Sequence, residues 1–407
     1  MKNIRRIAVS PWIIFAAALT TRVACALFIF RNYFGPQLLF IQNEPSHIAS
    51  ALVAGFGFSS PYANAPIAPT AQQPPIYPLI LATIFRTFGT FTTASAYAAV
   101  GLNILAGALT AVLLHHIGKL YFNETVGIVS AWVWTLPWMY RAIAFSASVS
   151  GAHLAALGLA VVVLLLPRVL AANRGWFALG LFLGILVLLQ ASFLAVFVAY
   201  GVWLALWKHR SYQMMLVLFG LVLALAPWTI RNYVVLGRLI PVRDNFGLEL
   251  WLGNRPGMHG TVDYSGDFPD HDPSTYARLG EIGYMDAKLR EAKMFIASNP
   301  QAFFDRCMHR MIEFWYVPYS RTWLVVSLLA WIGALLAFRC HNCGELLAIP
   351  VAIFPLIYYI THVFPTYRLP IEPLVILLAT FPVVETIAFL KRIVGREPQS
   401  VHSASQS

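Results

Sequence analysis

The sequence predicts an all-α protein that crosses a membrane many times, and three observations lead to this prediction. Hydrophobic residues make up 59% of the 407 residues, against roughly 45–50% in a soluble domain. Charged residues make up 11%, whereas about a quarter is usual. Many apolar runs reach about 20 residues, the length at which a helix spans a bilayer. This composition excludes a nuclear, secreted or cytosolic globular protein.

The apolar runs predict ten membrane-spanning helices. The run 175–207 carries Gln190 and Ser192 near its middle; it is either one long tilted helix or two short ones, and charge favours two. A further helix, 76–88, follows two prolines and is placed on the outer surface. The remaining spans are expected at 11–30, 97–117, 126–145, 147–166, 212–231, 322–338, 345–362 and 371–390.

Basic residues predict the orientation of these spans. The ten-span arrangement puts twelve Lys and Arg on the cytoplasmic side and four in the short external segments, as the positive-inside rule requires. If 76–88 crossed the membrane, nine of those twelve would face outward. Both termini are therefore expected in the cytoplasm. The net charge of +11 is explained by these loops, so no nucleic-acid partner is predicted.

The topology predicts four regions of the chain. Thirteen of the 17 acidic residues fall in external segments, and eleven of these lie between Asp244 and Glu313. Polar chemistry is therefore expected at the extracytoplasmic face. The regions are a transmembrane module at 1–231 that includes the first external loop 31–96, an extracytoplasmic cap at 232–321, C-terminal transmembrane helices at 322–390 and a cytoplasmic tail at 391–407.

The first external loop contains a single carboxylate, Glu44. Pro45 and the apolar spacing after it predict a short helix that ends near Gly55 and lies in the membrane interface. Glu44 either complements the N-terminus of this helix, worth roughly 0.3–1 kcal/mol, or takes part in chemistry. The proline-rich elbow 69–78 is expected to be extended up to the start of the helix 76–88. The elbow either serves packing alone or forms part of a site.

The second external segment and the last external turn hold the arginines of interest. Gly, Asn, Arg and Trp are clustered over 243–254, which suits a loop that offers hydrogen bonds. Helical spacing from Tyr276 to Phe304, broken at Pro300, predicts a small packed cap. Arg368 has three open roles: it extends towards the interface, pairs with Glu372, or binds a lipid phosphate through its guanidinium fork.

Four segments together resemble the GT-C superfamily of membrane glycosyltransferases, specifically the family 39-like bacterial enzymes related to lipid A aminoarabinose transferase and protein mannosyltransferase. Each segment alone is a weak match, and their order along the chain is the more specific feature. They are the acid-led helix at 44–57, the elbow at 69–78, Pro-Trp-Thr-Ile-Arg-Asn-Tyr at 227–233 and Tyr-Arg-Leu-Pro-Ile-Glu-Pro at 367–373.

The resemblance implies a GT-C-like bundle that moves a sugar from a polyprenyl-phosphate donor to a glycan, lipid or protein acceptor outside a bacterial inner membrane. Glu44 is the expected catalytic base, since the family places a carboxylate in the first external loop, and one base opposite the leaving group predicts inversion. No cofactor is expected, and a divalent metal stays open. The expected substrate-binding residues are Arg368, Arg231, Arg243, Glu249, Asn254, His47, Gln73 and Tyr77.

Two other classes of protein stay open from the sequence. An inactive scaffold relative is one, because Asn43 replaces the first of the family's two acids and His47 stands where a tyrosine is common. A transporter is the other, although its coupling site is expected near the membrane midplane, where Arg22 and Gln190 are the only candidates that the sequence analysis identifies. The Cys-His-Asn-Cys motif at 340–343 has too few ligands for a closed zinc site.

Overall fold

A computed structural model of the chain describes residues 10–33, 35, 40, 44–62, 67–136, 148–258, 273–316, 321–340 and 344–394. Within these ranges the secondary structure is helical, and the one β pairing is an isolated antiparallel bridge between Ser59 and Pro69. The predicted all-α class is therefore confirmed.

Helices account for most of the described residues. In chain order they are α1 (Pro11–Asn32), α2 (Glu44–Val53), α3 (Ile76–Phe88), α4 (Thr93–Tyr121), α5 (Glu124–Thr135), α6 (Ala152–Ala172), α7 (Trp176–Val187), α8 (Phe193–Leu206), α9 (Ser211–Leu236), α10 (Phe246–Asn254), α11 (Pro273–Ser298), α12 (Pro300–Tyr316), α13 (Arg321–Cys340), α14 (Glu345–Ile353), α15 (Leu356–Ile360), a 3-10 turn (Pro365–Arg368) and α16 (Glu372–Val394).

Six of these helices are long and apolar enough to cross a membrane: α1, α4, α6, α9, α13 and α16. Four shorter apolar helices lie at 76–88, 176–187, 193–206 and 345–360. With the composition, they make the chain a multi-pass membrane protein. The count of ten spans stays a prediction, because α5 ends at Thr135 and the rest of the predicted span 126–145 lies outside the described residues.

The run 175–207 forms two helices, as predicted. Helix α7 ends at Val187 and α8 begins at Phe193, so Gln190 and Ser192 lie in the break between them. Both side chains hydrogen-bond to the hydroxyl of Tyr358 in α15. These hydrogen bonds offset the free-energy cost of placing polar groups within an apolar run.

Helix α9 extends beyond the predicted span. It continues through Arg231 and Asn232 to Leu236 and ends at Gly237, whose φ of +69° is a left-handed conformation that glycine tolerates. The predicted boundary between the transmembrane module and the cap at 231/232 thus falls within a continuous helix.

Helices α7 and α9 pack backbone to backbone through glycine. A Cβ atom on Gly180 would lie 2.1 Å from the carbonyl oxygen of Val217, and one on Gly220 would lie 2.4 Å from that of Phe177. Any larger residue at either position would push the helices apart. Helix α7, which contains Gly180, ends at Val187, and the break that contains Gln190 follows it.

The cap is a small helical unit, as the sequence predicts. Helix α11 bends at Gly280, which has a φ of +67°, and Pro300 begins the next helix. The cap has its own apolar cluster, which includes Tyr62 of the first external loop and so joins the two external segments. The cluster comprises Tyr62, Leu248, Leu252, Tyr276, Tyr284 and Met285.

Candidate active site

A cavity of about 500 Å³ lies where the two segments predicted to be external meet the break between α7 and α8. Five of the residues that the sequence analysis selects line it: Glu44, Gln73, Tyr77, Arg243 and Glu249. Other segments of the lining are 149–152, 189–192 and parts of 357–370. The cavity therefore brings together residues more than 300 positions apart in the chain, from Glu44 to Pro370.

Glu44 is the first residue of α2, and its carboxylate is held by the elbow. Gln72 Nε2 donates to Glu44 Oε1 at 3.1 Å, and Gln73 Nε2 donates to Oε2. Burial raises the pKa of Glu44 to about 7; Glu249 adds to this rise, whereas Arg243 and the two amides oppose it. A carboxyl group that titrates near neutral pH is suited to general-base catalysis.

Arg243 lies beside Glu44 and is joined to it through Gln72. Its Nε donates to the backbone carbonyl of Gln72 at 3.0 Å, and its Nη2 donates to Glu249 Oε1 at 3.2 Å. Arg243 is the only arginine or lysine among the described lining residues, and its side chain keeps 27% exposure. A guanidinium group in this position can receive an anionic ligand.

The carboxylate of Glu249, on α10, has several polar contacts that the sequence analysis does not predict. Asn245 Nδ2 donates to Oε1, the oxygen that also accepts from Arg243. His362 Nδ1 lies 3.3 Å from Oε2, and His362 Nε2 lies 3.0 Å from the hydroxyl of Tyr367. The sequence analysis did not select His362 and Tyr367, because they lie more than 110 positions after Glu249. It did not single out Asn245 either, although Asn245 precedes Glu249 by four residues in the polar segment 243–254.

Arg231 does not line the cavity; it supports the elbow instead. Its Nη1 donates to the carbonyl of Thr70 and its Nη2 to that of Phe58, both at 2.7 Å. Its guanidinium lies 5.0 Å from the ring of Trp228. These contacts join Arg231 to the elbow, and its substrate contact stays a prediction.

Arg368 also lies outside the cavity lining, in a buried ion pair. Its Nε is 2.6 Å from Glu372 Oε2, and both side chains are 3% exposed. Its Nη1 donates to Ser327 Oγ at 2.8 Å and to the carbonyl of Trp315 at 3.1 Å, and its guanidinium lies 5.0 Å from the ring of Trp323. Of the three roles open from the sequence, this geometry corresponds to pairing with Glu372.

Asn254 and His47, both expected to bind substrate, are absent from the described lining. Asn254 Nδ2 donates to the carbonyls of Leu250 and Ile360 at 2.8 and 2.9 Å, so it joins the ends of α10 and α15. His47, on α2, packs its ring 5.9 Å from that of Phe91. Substrate binding by either residue stays a prediction.

No group of three or more His, Cys, Asp or Glu residues within the described ranges is arranged to hold a metal ion. The Cys-His-Asn-Cys motif falls outside this statement, because residues 341–343 are not among those described.

The solved structures to which this chain is similar include the following two. ArnT from Cupriavidus metallidurans, bound to undecaprenyl phosphate, shares 16% identity at a TM-score of 0.48, over 92% of this chain and 62% of that one. The archaeal oligosaccharyltransferase AglB from Archaeoglobus fulgidus, in complex with an inhibitory peptide and a dolichol-phosphate, shares 11% identity at a TM-score of 0.49, over 97% of this chain and 52% of that one.

These two proteins each match more than nine tenths of this chain. This chain spans between half and two thirds of their length. The identities and TM-scores are too low to carry a function from those proteins to this chain. No protein-family model and no curated protein matches the sequence.

Proposed function

We propose that this chain is an inverting glycosyltransferase that moves a sugar from a polyprenyl-phosphate donor to an acceptor hydroxyl at the extracytoplasmic face of a bacterial inner membrane. The observation that supports this proposal is the shared contact at Gln72: its side chain donates to Glu44, and its carbonyl accepts from Arg243. A base and a cation are thereby held side by side in one cavity.

The proposed reaction uses each group once. Glu44 takes the proton of the acceptor hydroxyl, whose oxygen forms a bond to the anomeric carbon of the donor sugar. The bond from that carbon to the phosphate oxygen breaks, and its electron pair leaves on the polyprenyl phosphate. Arg243 neutralises the departing phosphate, an interaction typically worth about 3–4 kcal/mol in the transition state. Attack opposite the leaving group inverts the anomeric centre.

Arg243 takes the phosphate role in place of Arg368 for a physical reason. Arg368 is buried against Glu372, and breaking such a pair would leave a carboxylate without its counter-charge. Arg243 lines the cavity, and its partner Glu249 keeps Asn245 and His362 as neighbours when the guanidinium turns to a phosphate.

The test is single-turnover transfer by purified protein, measured as release of undecaprenyl phosphate from undecaprenyl-phospho-sugars. Glu44→Gln keeps the size of the side chain but cannot accept the proton, so turnover should fall at least about 100-fold with donor binding unchanged. Asp286→Asn is the matched control, because Asp286 pairs with Arg238 at the exposed surface of the cap.

Near-wild-type transfer by Glu44→Gln would remove Glu44 from the mechanism and leave Glu249 as the next carboxylate to test. Absence of release by the wild-type chain with every donor would support an inactive scaffold or a transporter.

A further inference from the structure

A second polar cluster lies in the cavity, within the break between α7 and α8. Ser192 Oγ is 2.8 Å from the hydroxyl of Tyr358, and Gln190 Nε2 donates to the same hydroxyl at 3.1 Å. All three residues line the cavity. The proposed reaction gives none of them a role, although polar groups in an apolar run are costly unless they serve binding or structure.

Tyr77 adds an unused polar group to the same wall. Its side chain is 5% exposed and lines the cavity, yet its hydroxyl has no hydrogen-bond partner among the described residues. The backbone N–H of Ile76, next to Tyr77, donates to the carbonyl of Leu188 at 3.2 Å, which fixes Tyr77 against the break. A buried hydroxyl without a partner is destabilising unless a ligand completes it.

Apolar surface lies directly beside these hydroxyl and amide groups. A Cβ atom on Gly151 would lie 3.3 Å from both Leu189 Cδ1 and Tyr77 Cγ, so glycine allows the ring of Tyr77 and the side chain of Leu189 to approach. Val149 completes this face of the lining. A sugar ring has the same mixed character, with hydroxyls at its rim and C–H groups on its faces.

The cluster is also close to the charged side of the cavity. The ring of Tyr358 lies 4.7 Å from that of Tyr367, and the Tyr367 hydroxyl is 3.0 Å from His362 Nε2. His362 in turn contacts Glu249, the partner of Arg243. Side-chain contacts therefore link the neutral cluster to the proposed phosphate site.

We propose that Gln190, Ser192, Tyr358 and Tyr77 form the subsite for the sugar ring of the lipid-linked donor, and that it takes a neutral, hydroxyl-bearing ring. This rests on the proposed function. Of the three parts of such a donor, the polyprenyl chain offers no hydrogen-bonding group and the phosphate requires a cation. The sugar hydroxyls match four neutral donors and acceptors, and the side-chain oxygen of Gln190 accepts no hydrogen bond in the described part of the chain.

The experiment compares two lipid probes on each purified variant: undecaprenyl phosphate, and undecaprenyl phosphates that carry glucose, galactose, mannose or arabinose. Tyr358→Phe and Tyr77→Phe each remove one hydroxyl, and Gln190→Leu removes the amide. Each should weaken binding of the preferred sugar-bearing lipid by about three- to tenfold, the value of one hydrogen bond. Binding of undecaprenyl phosphate should not change.

Tyr359→Phe is the matched control. Tyr359 is the next residue in α15, but its hydroxyl accepts from Trp315 Nε1 and it does not belong to the described cavity lining. The Tyr359→Phe variant should bind both probes with the affinity of the wild type.

Several results would overturn the subsite. One is equal affinity of the wild type and all three variants for the sugar-bearing lipid. Another is a wild-type affinity for undecaprenyl phosphate that no attached sugar increases. Unchanged donor binding with a raised acceptor KM would reassign the cluster to the acceptor. Wild-type protein that binds neither probe would overturn the proposed function as well, so the two failures are distinguishable.

Discussion

The carboxylate of Glu281 accepts a hydrogen bond from the backbone N–H of Ala71, 2.6 Å away and 210 positions earlier in the chain. Its second oxygen accepts from the hydroxyl of Tyr276 at 3.0 Å, and burial raises its pKa above the usual value. The backbone N–H of Asp244 also donates to the carbonyl of Ala71, at 3.0 Å. The cap thus holds Ala71 in place. Ala71 directly precedes Gln72, which links Glu44 to Arg243.

Removal of the Glu281 carboxyl group should destabilise the protein and slow transfer together. Glu281→Ala leaves the N–H of Ala71 and the hydroxyl of Tyr276 without an acceptor, at about 1–3 kcal/mol for each buried group. Glu281→Gln keeps an oxygen for the N–H and should restore most of both properties. A thermal melt and single-turnover transfer on the same preparations check this. Equal loss in the two variants would argue against the hydrogen bond as the cause.

The pH dependence of transfer should report Glu44. Its pKa of about 7 lies above that of an exposed carboxyl, and only the ionised form accepts a proton. We therefore expect kcat/KM to fall as the pH drops below about 7. Glu249→Gln removes a like charge, so the acid limb of the profile should move to lower pH, whereas Asp286→Asn should leave it in place. An acid limb that Glu249→Gln does not move would contradict the assignment.

The ion pair of Arg368 and Glu372 should contribute to stability rather than to donor binding. Arg368→Met leaves a buried carboxylate without its counter-charge, and breaking such a pair costs about 3–5 kcal/mol. The double variant Arg368→Met, Glu372→Leu should recover much of this loss. Thermal melts of the three proteins test the coupling. Weakened undecaprenyl phosphate binding by the stable double variant would return Arg368 to the phosphate site.

Helix α3 should lie on the outer surface of the membrane. In a background with serine at Cys25, Cys307, Cys340 and Cys343, a cysteine at Thr90 should react with an impermeant maleimide added to intact cells. A cysteine at Arg174, in a loop predicted to face the cytoplasm, should react only after the membrane is opened. The reverse pattern would overturn the ten-span topology.

Local sequence patterns predict the elements well. Residue spacing predicts three elements because each depends on neighbours in the chain: the acid-led helix α2, the helix α3 after its prolines, and the division of 175–207 at its polar residues. The end of α9 was harder to predict: nothing between Arg231 and Gly237 breaks a helix, so α9 continues past the last apolar run.

The site was predictable in part, and the reason lies in sequence separation. Glu44 could be selected because it is the single carboxylate of its loop, and Arg243 and Glu249 because they share a polar segment. Tyr358 lies in α15 and His362 in the connection that follows it, both more than 100 positions after Glu249. Pairing of Arg368 with Glu372 was one of three roles open from the sequence, and its contact with Ser327, 41 positions earlier, is revealed by the folded structure.

The bridging position of Gln72 has a consequence for biosynthesis. Glu44 and Gln72 leave the ribosome early, whereas His362, in the last part of the cavity wall, follows about 290 residues later, which is about 15–60 s at usual elongation rates. During that interval the proposed base has its glutamine partners but no enclosing wall. A nascent chain that ends before His362 therefore lacks part of the proposed site, and the proposed transfer activity requires synthesis to continue past this residue.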